Sequence, residues 1–271
     1  MYNKVVETTD FLKTTTKYRP KIAIILGSGL GNLVDFIGEK IEIEYKDIPN
    51  FPVSTVEGHD GKLVFGKIGG VEVVAMKGRF HFYEGYDMKE VTYPMYVMKQ
   101  LGIEKLIVSN AAGGSNKTFS QGTLMLITDH INSFGTNPLI GKNDDRFGPR
   151  FPDMTEAYKK YLIELAKGVA DDLGIPYREG IYLGTTGPTY ETGAEVRAFT
   201  GMGADAVGMS TVPEVTVANY LGIDVLGISC ITNMATGIAK KAHSHEDVVD
   251  IAKKAGENFC NWIVNIVKKI G

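Results

Sequence analysis

A glycine-rich loop follows the first strongly apolar segment of the chain. Lys21–Leu26 is almost entirely apolar, and Gly27–Gly31 reads Gly-Ser-Gly-Leu-Gly. A glycine loop between a strand and the start of a helix presents backbone N–H groups and the positive helix end, and Ser28 adds a hydroxyl, so the segment favours a phosphate-like anion. A dinucleotide fingerprint needs a glycine at its sixth position, where this chain has Asn32. A tight turn without a ligand is the alternative interpretation.

Three polar side chains recur at every second position further along. Arg79, His81 and Tyr83 alternate with Phe80 and Phe82. An extended backbone would place the polar residues on one side and the phenylalanines in the core. The arginine fork suits a tetrahedral oxyanion, and histidine adds a hydrogen-bond donor. The pattern therefore favours an anion site over the alternative, an exposed polar edge strand.

Three other apolar runs end in small or polar residues. Ser109–Gly114 would let a ligand approach the backbone at the carboxyl end of a strand, where ligands bind in open α/β sheets. Ser210 or Thr211 is expected to cap the helix that Pro213 begins. Asn233 follows another strand, and a buried asparagine there must bond to protein or ligand.

An aromatic residue stands next to a carboxylate in a turn. Gly184–Thr192 is rich in Gly, Pro and Thr and contains Tyr190 and Glu191. Such a pair can stack on a flat heterocycle and accept its N–H. The alternative is that Glu191 lies at a helix N-terminus and is stabilised by the helix dipole. The local pattern alone favours that alternative.

The histidines and cysteines do not have the spacing of a metal site. His243 and His245 form a close pair, but no H-E-x-x-H or C-x-x-C motif occurs. A G-x-S-x-G elbow is also missing, so a hydrolytic nucleophile is not indicated. We expect no metal.

The elements that must position these residues alternate between strands and helices. Lys62–Lys77 predicts a hairpin around Gly69 and Gly70. Glu156–Leu173 predicts a helix with Asp153 and Glu156 as a capping pair. A last helix is predicted from about residue 246 to 269, capped by Ser244 with Asp247. Further strands are predicted at 105–109, 123–128, 180–184 and 224–230.

The alternation predicts an α/β fold. We expect a single domain over residues 1–271, with a central mixed, largely parallel β-sheet flanked by helices. Gly102, Gly174 and Gly222 each stand between a helical pattern and a strand, as helix-ending glycines do. Thr136–Pro152 is the longest non-periodic stretch, and a long ordered loop of this kind is often functional.

Composition excludes several classes of protein. The chain has 271 residues, a net charge of −3 and no basic stripe, so we expect no nucleic-acid partner. Met1–Asp10 lacks the apolar core of a signal peptide, and no apolar run reaches the roughly 18 residues of a membrane span. Cys230 and Cys260 fit a reducing compartment. We expect a cytoplasmic protein with a small-molecule site.

Taken in order, these motifs resemble the trimeric purine nucleoside phosphorylases of the inosine and guanosine type. The matching segments run from Lys21 to the last helix: Gly27–Gly31, Gly78–Tyr86, Asn110–Gly114, Arg150–Pro152, Gly187–Thr192, Gly208–Glu214 and Ile231–Asn233. The resemblance implies the nucleoside phosphorylase fold, a homotrimer and a role in purine salvage. It implies phosphorolysis of inosine, guanosine and their 2′-deoxy forms to the free base and (deoxy)ribose 1-phosphate. Inorganic phosphate would be a co-substrate, with no cofactor.

The resemblance also implies a role for individual residues. Phosphate would be held by Ser28, His59, Arg79, His81, the backbone of Ala111 and Ser210. The nucleoside would contact Tyr83, Tyr190, Glu191, Met209, Asn233 and His245, with His243 as the alternative at the 5′-hydroxyl. Phe151 would enter the site of a neighbouring subunit. Catalytic roles would fall to Asn233, Glu191 and His81.

Glu191 and Asn233 distinguish between substrates. Inosine offers an N1–H to a carboxylate, whereas adenosine has a bare N1 acceptor, and an unpaired buried group costs about 1–3 kcal/mol. Methylthioadenosine phosphorylase is the nearest alternative, and it would be expected to carry another residue in place of Asn233. A dinucleotide-dependent dehydrogenase and a non-catalytic nucleoside-binding protein are alternatives from other classes.

Overall fold

One mixed sheet runs through the protein. The computed structural model describes residues 1–53, 61–238 and 245–271, without the side chain of His245. Within these ranges the strands are β1 (Ile22–Leu26), β2 (Gly38–Glu44), β3 (Lys62–Ile68), β4 (Val71–Lys77), β5 (Lys105–Gly114), β6 (Leu124–Asn132), β7 (Tyr177–Gly184), β8 (Ala206–Gly208) and β9 (Asp224–Met234).

The strand order is β2-β3-β4-β1-β5-β8-β7-β6-β9, and β9 also pairs with β5. The five strands from β5 to β9 therefore close into a ring, which removes a free edge from that end of the sheet. The pairs β1–β4, β1–β5, β5–β9, β6–β7 and β7–β8 are parallel, and the other pairs described are antiparallel. The expected mixed, largely parallel sheet is confirmed.

Helices cover the sheet. They are α1 (Tyr2–Thr15), α2 (Met88–Val91), α3 (Tyr93–Leu101), α4 (Lys160–Leu173), α5 (Gly193–Gly201), α6 (Val212–Tyr220) and α7 (His245–Ile270). β1 is buried along its whole length. The indole N–H of Trp262 donates to the carbonyl of Ala166 and joins α7 to α4. None of the described helices has the length and apolar character needed to cross a membrane.

Glycines make the predicted turns. Gly69 and Gly70 have φ of 57° and 90° and connect β3 to β4, as the hairpin prediction requires. Gly102, Gly174 and Gly222 all have positive φ where α3, α4 and α6 end. Gly29 also has a positive φ, and a Cβ there would lie 2.5 Å from Cβ of Ala252 in α7. The glycine loop after β1 is therefore packed closely against the last helix.

Three local predictions are wrong. α4 begins at Lys160, because the Asp153 carboxylate accepts from the N–H and hydroxyl of Thr155 and forms a turn instead of a cap for a helix at Glu156. The glycine loop leads into a short 3-10 helix at Gly31–Phe36, which weakens any helix dipole there. The extended stretch ends at His81, because Phe82–Glu84 forms a 3-10 turn. The predicted cap Ser244 lies outside the described residues.

Candidate active site

A cleft with about 690 Å³ of empty space, partly open to solvent, lies where several strands end. Its walls come from the loops after β1, β4, β7 and β8, from the last residues of β5 and β9, and from α7. The lining residues are Gly27, Ser28, Arg79, His81, Tyr83, Asn110, Ala111, Ala112, Gly113, Tyr190, Glu191, Val207, Gly208, Met209, Ser210, Thr232, Asn233 and Val248.

Ten of the predicted site residues line this one cleft: Ser28, Arg79, His81, Tyr83, Ala111, Tyr190, Glu191, Met209, Ser210 and Asn233. Phe151 does not line it, and its side chain is 86% exposed in the long loop between β6 and α4. His59, His243 and the side chain of His245 lie outside the described residues. The structure thus brings together segments up to 205 positions apart in the sequence, from Ser28 to Asn233.

The guanidinium of Arg79 is buried, with 1% of the residue exposed. Its Nη2 donates to the carbonyl of Ser109, and its Nη1 lies 3.2 Å from the hydroxyl of Ser210. The same nitrogen lies 3.1 Å from Oγ1 of Thr211 and 3.4 Å from a carboxylate oxygen of Glu214. These contacts hold a fixed positive charge at the wall of the cleft, where an anion would bind.

The expectation that Ser210 or Thr211 caps α6 is wrong. Thr211 occupies the N-cap position but makes no capping hydrogen bond. Its hydroxyl is turned toward Arg79 and Asn110, because those two buried donors need an acceptor. Ser210 lines the cleft beside it.

His81 is held between a carboxylate and an aromatic ring. Its Nδ1 lies 3.0 Å from Glu84, whose carboxylate also accepts the backbone N–H of His81. The ring stacks on Tyr83, with centroids 4.7 Å apart. Burial lowers the pKa of His81, although the Glu84 hydrogen bond opposes that shift. In the neutral tautomer that donates from Nδ1, Nε2 is an acceptor, so a donor role toward an anion requires the protonated ring.

Glu191 does not cap the helix that follows it. The cap of α5 is made by Thr192 and Glu195, which exchange hydrogen bonds between their side chains and backbone N–H groups. Glu191 lines the cleft beside Tyr190. Burial raises the pKa of the Glu191 carboxyl above its usual range. The helix-terminus alternative is therefore less well supported than a carboxylate facing a ligand.

Asn233 is oriented by its neighbours at the end of β9. Its Oδ1 accepts the hydroxyl of Thr232 at 3.1 Å, so the amide N–H₂ is the part free to turn toward a ligand. Nδ2 lies 3.2 Å from the place that a Cβ on Gly113 would take. Gly113 of β5 thus leaves room for the Asn233 side chain.

Sequence reasoning missed three buried polar residues of this site. Asn110 and Glu214 support Arg79 and Thr211, and the phenol of Tyr182 accepts the backbone N–H of Ser210. Glu214 is a single charge within the otherwise apolar start of α6, and Asn110 is a polar residue inside a buried strand. Both features are visible in the sequence, but their partners lie more than 100 positions away.

The raised pKa of Glu191 predicts a pH-dependent effect on stability. Because the folded state favours the protonated carboxyl, ionised Glu191 destabilises the fold at neutral pH, and this cost disappears as the pH falls below the unfolded value. We expect Glu191→Gln to raise Tm at pH 7 and to match the wild type near pH 4.

Glu195→Gln is the matched control, because hydrogen bonds from Thr192 lower the pKa of Glu195. That variant should lose stability at pH 7, and its deficit should shrink in acid. Thermal unfolding of both variants between about pH 4 and pH 7 checks that their changes in Tm have opposite signs. A Glu191→Gln variant less stable than wild type at pH 7 would contradict the assignment.

The chain is similar to known proteins over nearly its whole length. Residues 21–268 match the model of the phosphorylase superfamily. The chain is 55% identical to purine nucleoside phosphorylase 1 of Geobacillus stearothermophilus, covering 98% of this chain and 97% of that protein. It is 56% identical to purine nucleoside phosphorylase 1 of Bacillus subtilis, covering 98% of each.

Solved structures agree with the sequence comparison. The crystal structure of a Schistosoma purine nucleoside phosphorylase in complex with hypoxanthine superposes with a TM-score of 0.95 at 40% identity, covering 99% of this chain and 98% of that one. Fold, cleft and sequence similarity point to one conclusion. The chain belongs to the purine nucleoside phosphorylases of the phosphorylase superfamily.

Proposed function

We propose that this protein cleaves 6-oxopurine nucleosides with inorganic phosphate, converting inosine or guanosine and their 2′-deoxy forms to the free base and (deoxy)ribose 1-phosphate. The observation that carries the proposal is the shared cleft. Arg79 and two serine hydroxyls line it together with Tyr190, Glu191 and Asn233. One cavity thus contains groups suited to an oxyanion and groups suited to a purine.

The phosphate would bind at Arg79. Its guanidinium is buried, and burial strengthens the attraction between its positive charge and an anion; Ser210 is already within hydrogen-bond distance of it. Ser28 and the backbone of Ala111 line the same cleft, where they can donate further hydrogen bonds. His81 adds a ring nitrogen whose role depends on its protonation. His59 is a predicted member of this set outside the described residues.

The purine would bind at Tyr190, Glu191 and Asn233. Tyr190 offers a ring for stacking, and Glu191 can accept the N1–H of a 6-oxopurine. Asn233 can donate its amide N–H₂ toward N7 and O6. Tyr83 and Met209 approach each other at Gly187, where a Cβ would touch both side chains, and this pair supports a ribose contact. His245 remains the predicted contact of the 5′-hydroxyl.

Bond cleavage would pass through an oxocarbenium-like state. As the C1′–N9 bond breaks, positive charge grows on the ribose, where the phosphate stabilises it and then forms a bond to C1′ with loss of its own proton. The electron pair of the broken bond moves onto the purine, where a donor at N7 stabilises the developing negative charge, and the base leaves with the proton that the phosphate has lost. Because one cleft holds both reactants, the step becomes effectively unimolecular. These roles need no cofactor, and phosphate is consumed as a co-substrate.

The assembly and location are part of the same proposal. The exposed aromatic ring of Phe151 supports a homotrimer in which this residue completes a neighbouring site. Cys230 and Cys260 are free and buried, which is consistent with the cytoplasm. We propose that residues 1–271 form a single domain.

Base release from inosine tests the function. We expect hypoxanthine to form only when inorganic phosphate is present, with much less base from adenosine and methylthioadenosine. Chromatography of the products measures both base and ribose 1-phosphate. Preferred cleavage of methylthioadenosine would contradict the assignment of Glu191 and Asn233. Base release without phosphate would contradict the phosphate site.

A variant of Asn233 tests the leaving-group contact. We expect Asn233→Ala to lower kcat for inosine by roughly 10²- to 10³-fold, the usual cost of removing one donor at a developing charge. Asn265→Ala in α7 is the control, because its amide donates to the neighbouring Asn261 and does not line the cleft in the described part of the chain. Steady-state kinetics measure both variants, and an equal, small effect in the two would refute the contact.

A further inference from the structure

Thr211 has an unusual backbone conformation beside the cleft. Its φ and ψ are 71° and −54°, and the N–H of Val212 donates to the carbonyl of Ser210 at 2.8 Å. This combination is a γ-turn of the rare, strained kind. A β-branched residue seldom adopts positive φ, and such strain persists only where surrounding contacts enforce it.

The contacts that enforce this turn are buried hydrogen bonds to the threonine hydroxyl. Thr211 is fully buried. Its Oγ1 accepts from Nδ2 of Asn110 at 2.9 Å and from Nη1 of Arg79 at 3.1 Å. Asn110 lies in β5 and Arg79 follows β4, so the hydroxyl ties the start of α6 to two parts of the sheet.

These contacts favour one direction for the hydroxyl protons. A hydroxyl oxygen has two lone pairs and one proton. With Nδ2 of Asn110 and Nη1 of Arg79 as donors to Thr211 Oγ1, the Thr211 proton is available to Oγ of Ser210, which lies 3.2 Å away. Oγ of Ser210 also lies 3.2 Å from Nη1 of Arg79. The lone pairs of Ser210 are thus occupied, and its own proton is left for an acceptor in the cleft.

We propose that Thr211 is a positioning residue that makes Ser210 a hydrogen-bond donor and holds Arg79 in place for an incoming oxyanion. This inference rests on the proposed binding of phosphate in the cleft. The strained turn places the Thr211 hydroxyl within hydrogen-bond distance of Arg79 and Ser210 together. Glu214 supplies the countercharge to Arg79. The uncharged hydroxyl of Thr211 orients Arg79 and Ser210 through hydrogen bonds.

Because Thr211 is uncharged, its variants change hydrogen-bond geometry and leave the charge of the site constant. Thr211→Val keeps the shape and removes the hydroxyl, Thr211→Ser keeps the hydroxyl, and Thr211→Gly removes the hydroxyl together with the backbone strain. Thr216→Val is the matched control: Thr216 is a buried threonine of the same helix whose hydroxyl donates to the carbonyl of Val212, away from the cleft.

We expect Thr211→Val to raise KM for phosphate about ten-fold or more, the effect of leaving buried donors without an acceptor. KM for inosine should change little. Thr211→Ser should restore phosphate KM toward the wild-type value, and Thr216→Val should leave it unchanged. Thr211→Gly should show the same rise in phosphate KM as the valine variant, so a poorly folded valine variant does not prevent the test.

Phosphate-induced shifts in Tm give a readout independent of turnover. The shift should shrink in Thr211→Val and Thr211→Gly and persist in Thr211→Ser and Thr216→Val. Wild-type phosphate KM in both hydroxyl-free variants would overturn the role of Thr211 and leave the phosphorylase function intact. A rise in phosphate KM in Thr211→Ser as large as in Thr211→Val would also overturn it. A wild type that releases base without phosphate would instead refute the proposed function.

Discussion

The buried charge of Arg79 is the constraint around which the cleft is organised. A guanidinium shielded from water is stable only where hydrogen-bond acceptors and a countercharge surround it. The Ser109 carbonyl, the Ser210 and Thr211 hydroxyls and the Glu214 carboxylate provide them. The sheet order brings these groups together, because β1 lies between β4 and β5, and β8 is the next strand.

The same topology assembles the rest of the cleft. β5 and β8 run antiparallel with Gly113 opposite Val207, and beyond the end of β8 the Thr211 hydroxyl accepts from Asn110 of β5. β9 lies parallel to β5 and delivers Asn233 next to Gly113. β7 leads into the turn that carries Tyr190 and Glu191. One cavity thus contains the hydrogen-bond donors around Arg79 and also Tyr190, Glu191 and Asn233. A two-substrate transfer between phosphate and nucleoside requires this arrangement.

Short sequence patterns predicted the features that depend on neighbouring residues in the chain. The buried strand before Ser28, the hairpin at Gly69 and Gly70 and the helix-ending glycines follow from short-range backbone preferences. The start of α4 was mispredicted because Asp153 bonds to Thr155 instead of capping a helix, and Thr211 was expected to cap α6. Asn110 and Glu214 were missed because their roles depend on partners distant in sequence, and no spacing rule reports such contacts.

The claim that Arg79 organises an oxyanion site is tested most directly by titration calorimetry with inorganic phosphate on the wild type and Arg79→Lys. Lysine keeps the charge but lacks the planar fork that reaches Ser109, Ser210 and Thr211 at once. The account predicts phosphate binding to the wild type and an affinity at least about ten-fold weaker in a folded Arg79→Lys variant. Equal phosphate affinity in the two proteins would contradict it.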